Sequence, residues 1–203
     1  MKNIVNLNLN NNEKMIIESD ECPINKLLCC DMITIYLTYD NKNLILVRED
    51  AQMTLESLRH LLKLALKNEA QPHDSITQDI GFLWNERLQR KPGLVYKIFD
   101  RVNRWVGEDN MLWATPGLVG PKLVTWLYNN PQGDIILEIT PSYPYRSNTT
   151  KEKSPLSYQD FMRDYKPLLI RTISTSTAKK WLEQAEDILN TIQENIQKAQ
   201  KVN

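Results

Sequence analysis

The stretch Met32–Tyr39 sets Ile33, Ile35, Leu37 and Tyr39 in alternation with Thr34, Tyr36 and Thr38. A period of two in β-branched and aromatic residues places one set of side chains on each face of an extended strand; a helix would scatter both sets around its circumference. Asp40-Asn41-Lys42-Asn43 follows, and then the apolar run Leu44-Ile45-Leu46-Val47. Turn-forming residues between two such runs make a β-hairpin, so the pairing is antiparallel. A hairpin with one apolar face needs further strands or a helix to cover it, and the remaining sequence supplies both.

Thr54 is placed to cap a helix in which Leu55, Leu58, Leu62 and Ala65 share one side and Glu56, Arg59, Lys63 and Lys67 the other. Pro72 stops it, because the residue before a proline is pushed out of the α region. Residues 75–88 fit a short helix around Phe82, Leu83 and Trp84, weakened by Gly81. Residues 94–106 carry apolar side chains at helical spacing between Gly93 and Gly107, which suits a second amphipathic helix, with a pair of strands as the competing reading because Val and Phe are not strong helix formers. Residues 123–128 and 135–140 flank the turn-rich Asn129-Asn130-Pro131-Gln132-Gly133-Asp134 and predict a second hairpin. Ser157-Tyr158-Gln159-Asp160 opens a short helix, 168–173 reads as a strand, and 177–198 forms a final helix with Trp181, Leu182, Ala185, Ile188, Leu189, Ile192 and Ile196 in one stripe. Ile4, Leu7 and Leu9 suit an edge strand, and Met15-Ile16-Ile17 another short one. The expected class is α+β: a mostly antiparallel sheet built from hairpins, with helices packed on one face. No segment is rich enough in Pro, Gly or Ser to divide the chain, so residues 1–203 are expected to form a single domain.

Basic and acidic residues are equal at 25 each, which argues against a surface devoted to nucleic acid or an anionic membrane. The balance is uneven along the chain: residues 1–80 carry 8 basic and 12 acidic side chains, and residues 81–203 carry 17 and 13. Uncharged stretches such as 111–120 are too short to span a bilayer, and the first residues hold no secretory core, so the expected compartment is the cytoplasm. The three cysteines, Cys22, Cys29 and Cys30, are odd in number and two are adjacent. They make neither a disulfide framework nor a zinc-ligand spacing, and no metal or cofactor is expected.

GxSxG, P-loop, GxGxxG and HExxH patterns are all missing. An enzyme would have to assemble its site from scattered residues, with Cys29 or Cys30, His60 and nearby carboxylates as candidates. His60 sits four residues after Glu56 on the side away from the leucines, which suits a solvated pair better than a general base; His73, after a proline, suits a surface loop. Lys97, Arg101 and Arg104 form one row of the basic 87–104 segment. That row is the wet side of a helix or a patch for phosphates or an acidic protein surface. Tyr143, Tyr145 and Arg146 leave the second hairpin within Thr140-Pro141-Ser142-Tyr143-Pro144-Tyr145-Arg146 and are residue types enriched at interfaces; they could equally fold back over the end of the sheet.

The C-terminal half, from Trp126-Leu127-Tyr128 through Asp134-Ile135-Ile136-Leu137-Glu138-Ile139-Thr140-Pro141 to the Trp181 helix, resembles small bacterial immunity proteins of polymorphic and contact-dependent toxin systems. The resemblance covers about the last 80 residues and lies in layout, so no family residue is carried over. It implies a non-enzymatic protein that binds one cognate toxin and blocks its active site. The function expected from the sequence is therefore protein binding of the immunity type, with Tyr143, Tyr145, Arg146, Lys97, Arg101 and Arg104 as candidate contacts. The rivals are a scattered-site enzyme and a nucleic-acid module using residues 87–104.

Overall fold

The computed structural model describes residues 4–10, 12–72, 79–89, 108–115, 123–143 and 157–202. Its strands form two antiparallel meanders. The first holds β1 (Ile4–Asn8), β2 (Lys14–Ser19), β3 (Met32–Tyr39) and β4 (Lys42–Asp50), in that spatial order. The second holds β5 (Met111–Ala114), β6 (Leu123–Asn129), β7 (Ile135–Pro141) and β8 (Leu169–Ile173), again in sequence order. Each meander runs into a helix, α1 (Ala51–Leu66) after β4 and α4 (Thr175–Val202) after β8. Of two shorter helices, α2 (Ile80–Gln89) precedes the second meander and α3 (Tyr158–Arg163) lies between β7 and β8. The α+β class and both hairpins follow the sequence pattern, but the strands make two sheets.

The first hairpin turns on Asp40 and Asn41, at φ 48° and 57°, a two-residue loop whose left-handed pair matches the twist of the strands. Along the sheet, Leu7, Met15, Ile17, Ile33, Ile35 and Leu37 share the inward face and are fully buried. Leu123, Leu127, Ile135, Leu137, Ile139, Leu169 and Ile173 do the same in the second sheet, and the leucines of α1 and the Trp181 stripe of α4 join both rows in one continuous core. Trp181 donates its indole N–H to the Asn8 carbonyl at 3.2 Å and Gln184 donates to Asn6 O at 3.3 Å, so α4 closes the edge of β1. At the opposite edge the Thr115 hydroxyl bonds to the Ile45 and Leu46 carbonyls, at 3.1 and 3.3 Å, where β4 bulges against β3. The Arg171 guanidinium of β8 forks onto Glu13 in the β1–β2 turn, at 2.7 and 2.5 Å, linking the two sheets.

Three local expectations need correction. Asp50, the last residue of β4, caps α1 by accepting from Met53 N, and Thr54 is buried one turn inside; strand passes to helix with no connecting loop. The helix ends at Leu66, well before Pro72. Asn68 takes φ 61°, its N–H meets Ala65 O, and the Glu69 N–H returns to Leu64 O, a Schellman closure. The second sheet is covered on both faces. Ile80 and Trp84 of α2 pack on Val124 and Trp126, opposite the main core. The helix expected over 94–106 lies outside the described residues.

Candidate binding groove and the buried carboxylate beside it

Ser157 caps α3 by accepting from Asp160 N at 3.1 Å. The chain then turns at residues 164–168 and docks on β7 through Leu168 N to Ile139 O at 2.8 Å. This path lays Phe161, Tyr165 and Pro167 beside the tip of the first hairpin. A groove of about 610 Å³ opens there, lined by Tyr39 and Leu44 from the first sheet and by Leu123, Pro141, Phe161, Tyr165, Pro167 and Leu168 from the second half. Asp164 and Lys166 are its charged lining residues. Asp164 is engaged by Arg163 at 3.3 Å, whereas Lys166 is exposed and meets no carboxylate among the described residues. Among the described residues the groove is thus apolar with one cation that meets no carboxylate, and neither meander forms it alone.

One wall is a row of aromatic rings packed edge to face. Tyr143 meets Tyr158 and Phe161 with ring centres 5.4 Å apart in each case, Phe161 meets Tyr165 at 6.0 Å, and Tyr165 meets Phe82 of α2 at 5.6 Å. Asn85 fastens α2 to the end of β7, donating to Gly81 O and Pro141 O and accepting from Tyr143 N at 2.6 Å. Tyr143 therefore folds back over the end of the sheet. Its fellow candidates Tyr145, Arg146, Lys97, Arg101 and Arg104 lie outside the described residues, as does His73.

Behind Tyr165, on the outer face of β7, sits Glu138, only 1% exposed. One carboxylate oxygen accepts from the Tyr128 hydroxyl at 2.8 Å; among the described residues the other has no hydrogen-bond partner, and neither has the buried Tyr165 hydroxyl. Burial pushes the Glu138 carboxyl up to about 7, only partly countered by the Tyr128 hydrogen bond, and the Asp79 charge adds to the rise. Burial first, and the Glu138 charge second, hold the Tyr128 and Tyr165 phenols protonated far above their ordinary range. α2 packs over this cluster at Gly81, and Tyr165 carries it to the groove wall. The sequence gives no hint of it, because Glu138 in Leu137-Glu138-Ile139 reads as an ordinary outward position on a half-exposed strand.

The scattered-enzyme candidates do not gather into a site. His60 is exposed on α1, and Glu56 pairs with Arg59. Cys22 is half-buried and its thiol donates to Asp31 at 3.4 Å; burial first, then Asp31, pushes it up. The Cys30 thiol is also pushed up, chiefly by Cys29. Both shifts run opposite to the activation that a nucleophilic thiolate needs. Among the described residues no group of three or more His, Cys, Asp or Glu is placed to hold a metal ion, and no helix is long and apolar enough to cross a membrane. The lining residues Tyr39, Leu44, Phe161, Tyr165 and Lys166 were not singled out by sequence, because they are up to 127 positions apart and only the docking of the two halves unites them. No protein-family model, curated protein or solved structure matches the chain.

Proposed function

We propose that this chain is a non-enzymatic, cytoplasmic protein-binding domain that seats an apolar segment of its partner in the groove between the first hairpin and α3, with a partner carboxylate on Lys166. The observation that carries this reading is the groove's lining: tyrosine, phenylalanine, leucine and proline side chains around the Lys166 ammonium, which meets no carboxylate among the described residues, a mixture suited to an aromatic or aliphatic anchor with one acidic neighbour. Three free cysteines fit a reducing compartment. On this reading the partner is a toxin whose active site is covered on binding, in the manner of the immunity proteins that the C-terminal half resembles in layout.

Affinity capture from the source cell, with nuclease present, tests this with the wild-type chain beside Tyr39→Ala and Lys166→Glu. A stoichiometric protein held by wild type, and held at least about tenfold more weakly by each variant at unchanged melting temperature, supports the proposal. Retention of the same protein by both variants at full affinity, or recovery of nucleic acid alone when nuclease is omitted, overturns it.

A further inference from the structure

We propose that Cys29 and Cys30 form a vicinal dithiol that small disulfides close to an intramolecular disulfide, and that closure loosens the N-terminus of α1. The two sulfurs lie 3.4 Å apart, in contact and unbonded, at the end of the β2–β3 connection. Cys30 is exposed and open to a small disulfide, while Cys29 is half-buried against the core and held beside it. In the first step the Cys30 thiolate displaces one thiol from the small disulfide and forms a mixed disulfide. The Cys29 sulfur then gives up its proton, attacks the Cys30 sulfur and expels the second thiol. Two protein thiols are oxidised, one small disulfide is reduced to two thiols, and both protons leave on those products.

Adjacent α-carbons across a trans peptide stand about 3.8 Å apart, below the usual disulfide span of about 4.4–6.8 Å. Closure must therefore twist the peptide between the two cysteines. The carbonyl of that peptide, Cys29 O, accepts from Gln52 N at 3.3 Å, and Asp31 O accepts from Ala51 N at 2.8 Å. These are the first two amides of α1, so the twist falls on bonds that seat the helix. The other side of the loop gives less easily: the Asp31 carboxylate holds both Leu28 N at 2.8 Å and the Cys22 thiol. Cys22 is thereby occupied elsewhere and serves as an internal control.

The test incubates the full chain in a glutathione redox buffer and reads intact mass and amide exchange together. Wild type and Cys22→Ser should lose two hydrogens and carry no adduct, Cys29→Ser should stop at one glutathione adduct, and Cys30→Ser should not close. The Ala51 and Gln52 amides should exchange about tenfold faster in the closed form than in Cys30→Ser treated alike. Closure should also quicken as pH rises, since Cys29 and the Asp50 and Asp31 carboxylates keep the Cys30 thiol protonated. A wild-type chain that stays reduced, or stops at a mixed disulfide, overturns the closure. Closure with unchanged exchange at Ala51 and Gln52 overturns its link to α1.

Discussion

Glu138 on the outer face of β7 and Gly81 of α2, packed against that strand, show how single residues set the conditions for the groove wall. A carboxyl whose folded value is about 7, against an ordinary 4.5, is protonated in the folded chain and ionised in the unfolded one between those two values. Its contribution is fully present below about pH 4.5 and falls away as the pH rises through about 7, because the folded state is then forced to hold a buried charge. Glu138→Gln keeps an acceptor for Tyr128 and removes that charge. It should raise stability by roughly 1–3 kcal/mol at pH 8, do little at pH 4.5, and flatten the wild-type decline between them. Thermal melts of both proteins across that range check this; a parallel pH profile in the variant contradicts it. Gly81 reads in the sequence as a flaw in a helix, and the structure gives it a packing reason. A methyl group there would collide with the Tyr165 hydroxyl and with both side-chain branches of Thr140. Gly81→Ala should therefore destabilise the fold, although helix propensity alone favours alanine by about 1 kcal/mol. A higher melting temperature in the variant would mean that α2 does not press on β7 so closely.

Elements with a strong period were legible, and those fixed by distant partners were not. The hairpins β3–β4 and β6–β7 and the stripes of α1 and α4 follow from alternation and helical spacing, because each buries one face of a long element. β5 is not legible in the sequence: four residues carry too little pattern, and its place depends on Trp113, whose indole N–H reaches Thr54 O at 3.2 Å. The end of α1 was misplaced for a similar reason. Asn129 of β6 accepts from Ala70 N at 3.1 Å and donates to Ala65 O at 3.0 Å, bonding the last turn of the helix and the chain beyond it from 64 and 59 positions away. Asn129→Leu should cost about 1–3 kcal/mol in chemical denaturation, since it strands the buried Ala70 N–H while the Ala65 carbonyl keeps Asn68 N; a loss under about 0.5 kcal/mol would show that group paired otherwise. The link between the sheets is weaker. Arg171 is partly exposed, so a double-mutant cycle with Glu13→Gln and Arg171→Ala should give a coupling of about 1 kcal/mol, reduced by salt. The Arg171 hydrogen bonds hold the Glu13 carboxyl below its ordinary value, so this term is present at neutral pH and is lost as the pH falls below about 4.5. A coupling that persists undiminished in acid would assign it to packing and not to charge.

Across the whole molecule, one core joins both meanders, and α4 reaches back from the second half to close the first strand. Trp181→Ala should cost about 3–5 kcal/mol and lower a single transition seen alike by far-ultraviolet and near-ultraviolet dichroism. Two separated transitions in wild type would contradict a shared core. The same docking unites Tyr39 and Leu44 with Phe161, Tyr165 and Lys166, residues too far apart in the sequence to read as one groove, while the candidate contact Tyr143 packs its ring on Phe161. The most direct test of that claim is amide exchange of the chain, free and bound to the partner recovered by capture. Binding in the groove predicts slowed exchange across residues 39–44 and 161–168, with the exposed side of α4 unchanged. Protection confined to α4, with residues 39–44 and 161–168 exchanging at their free rates, would contradict it.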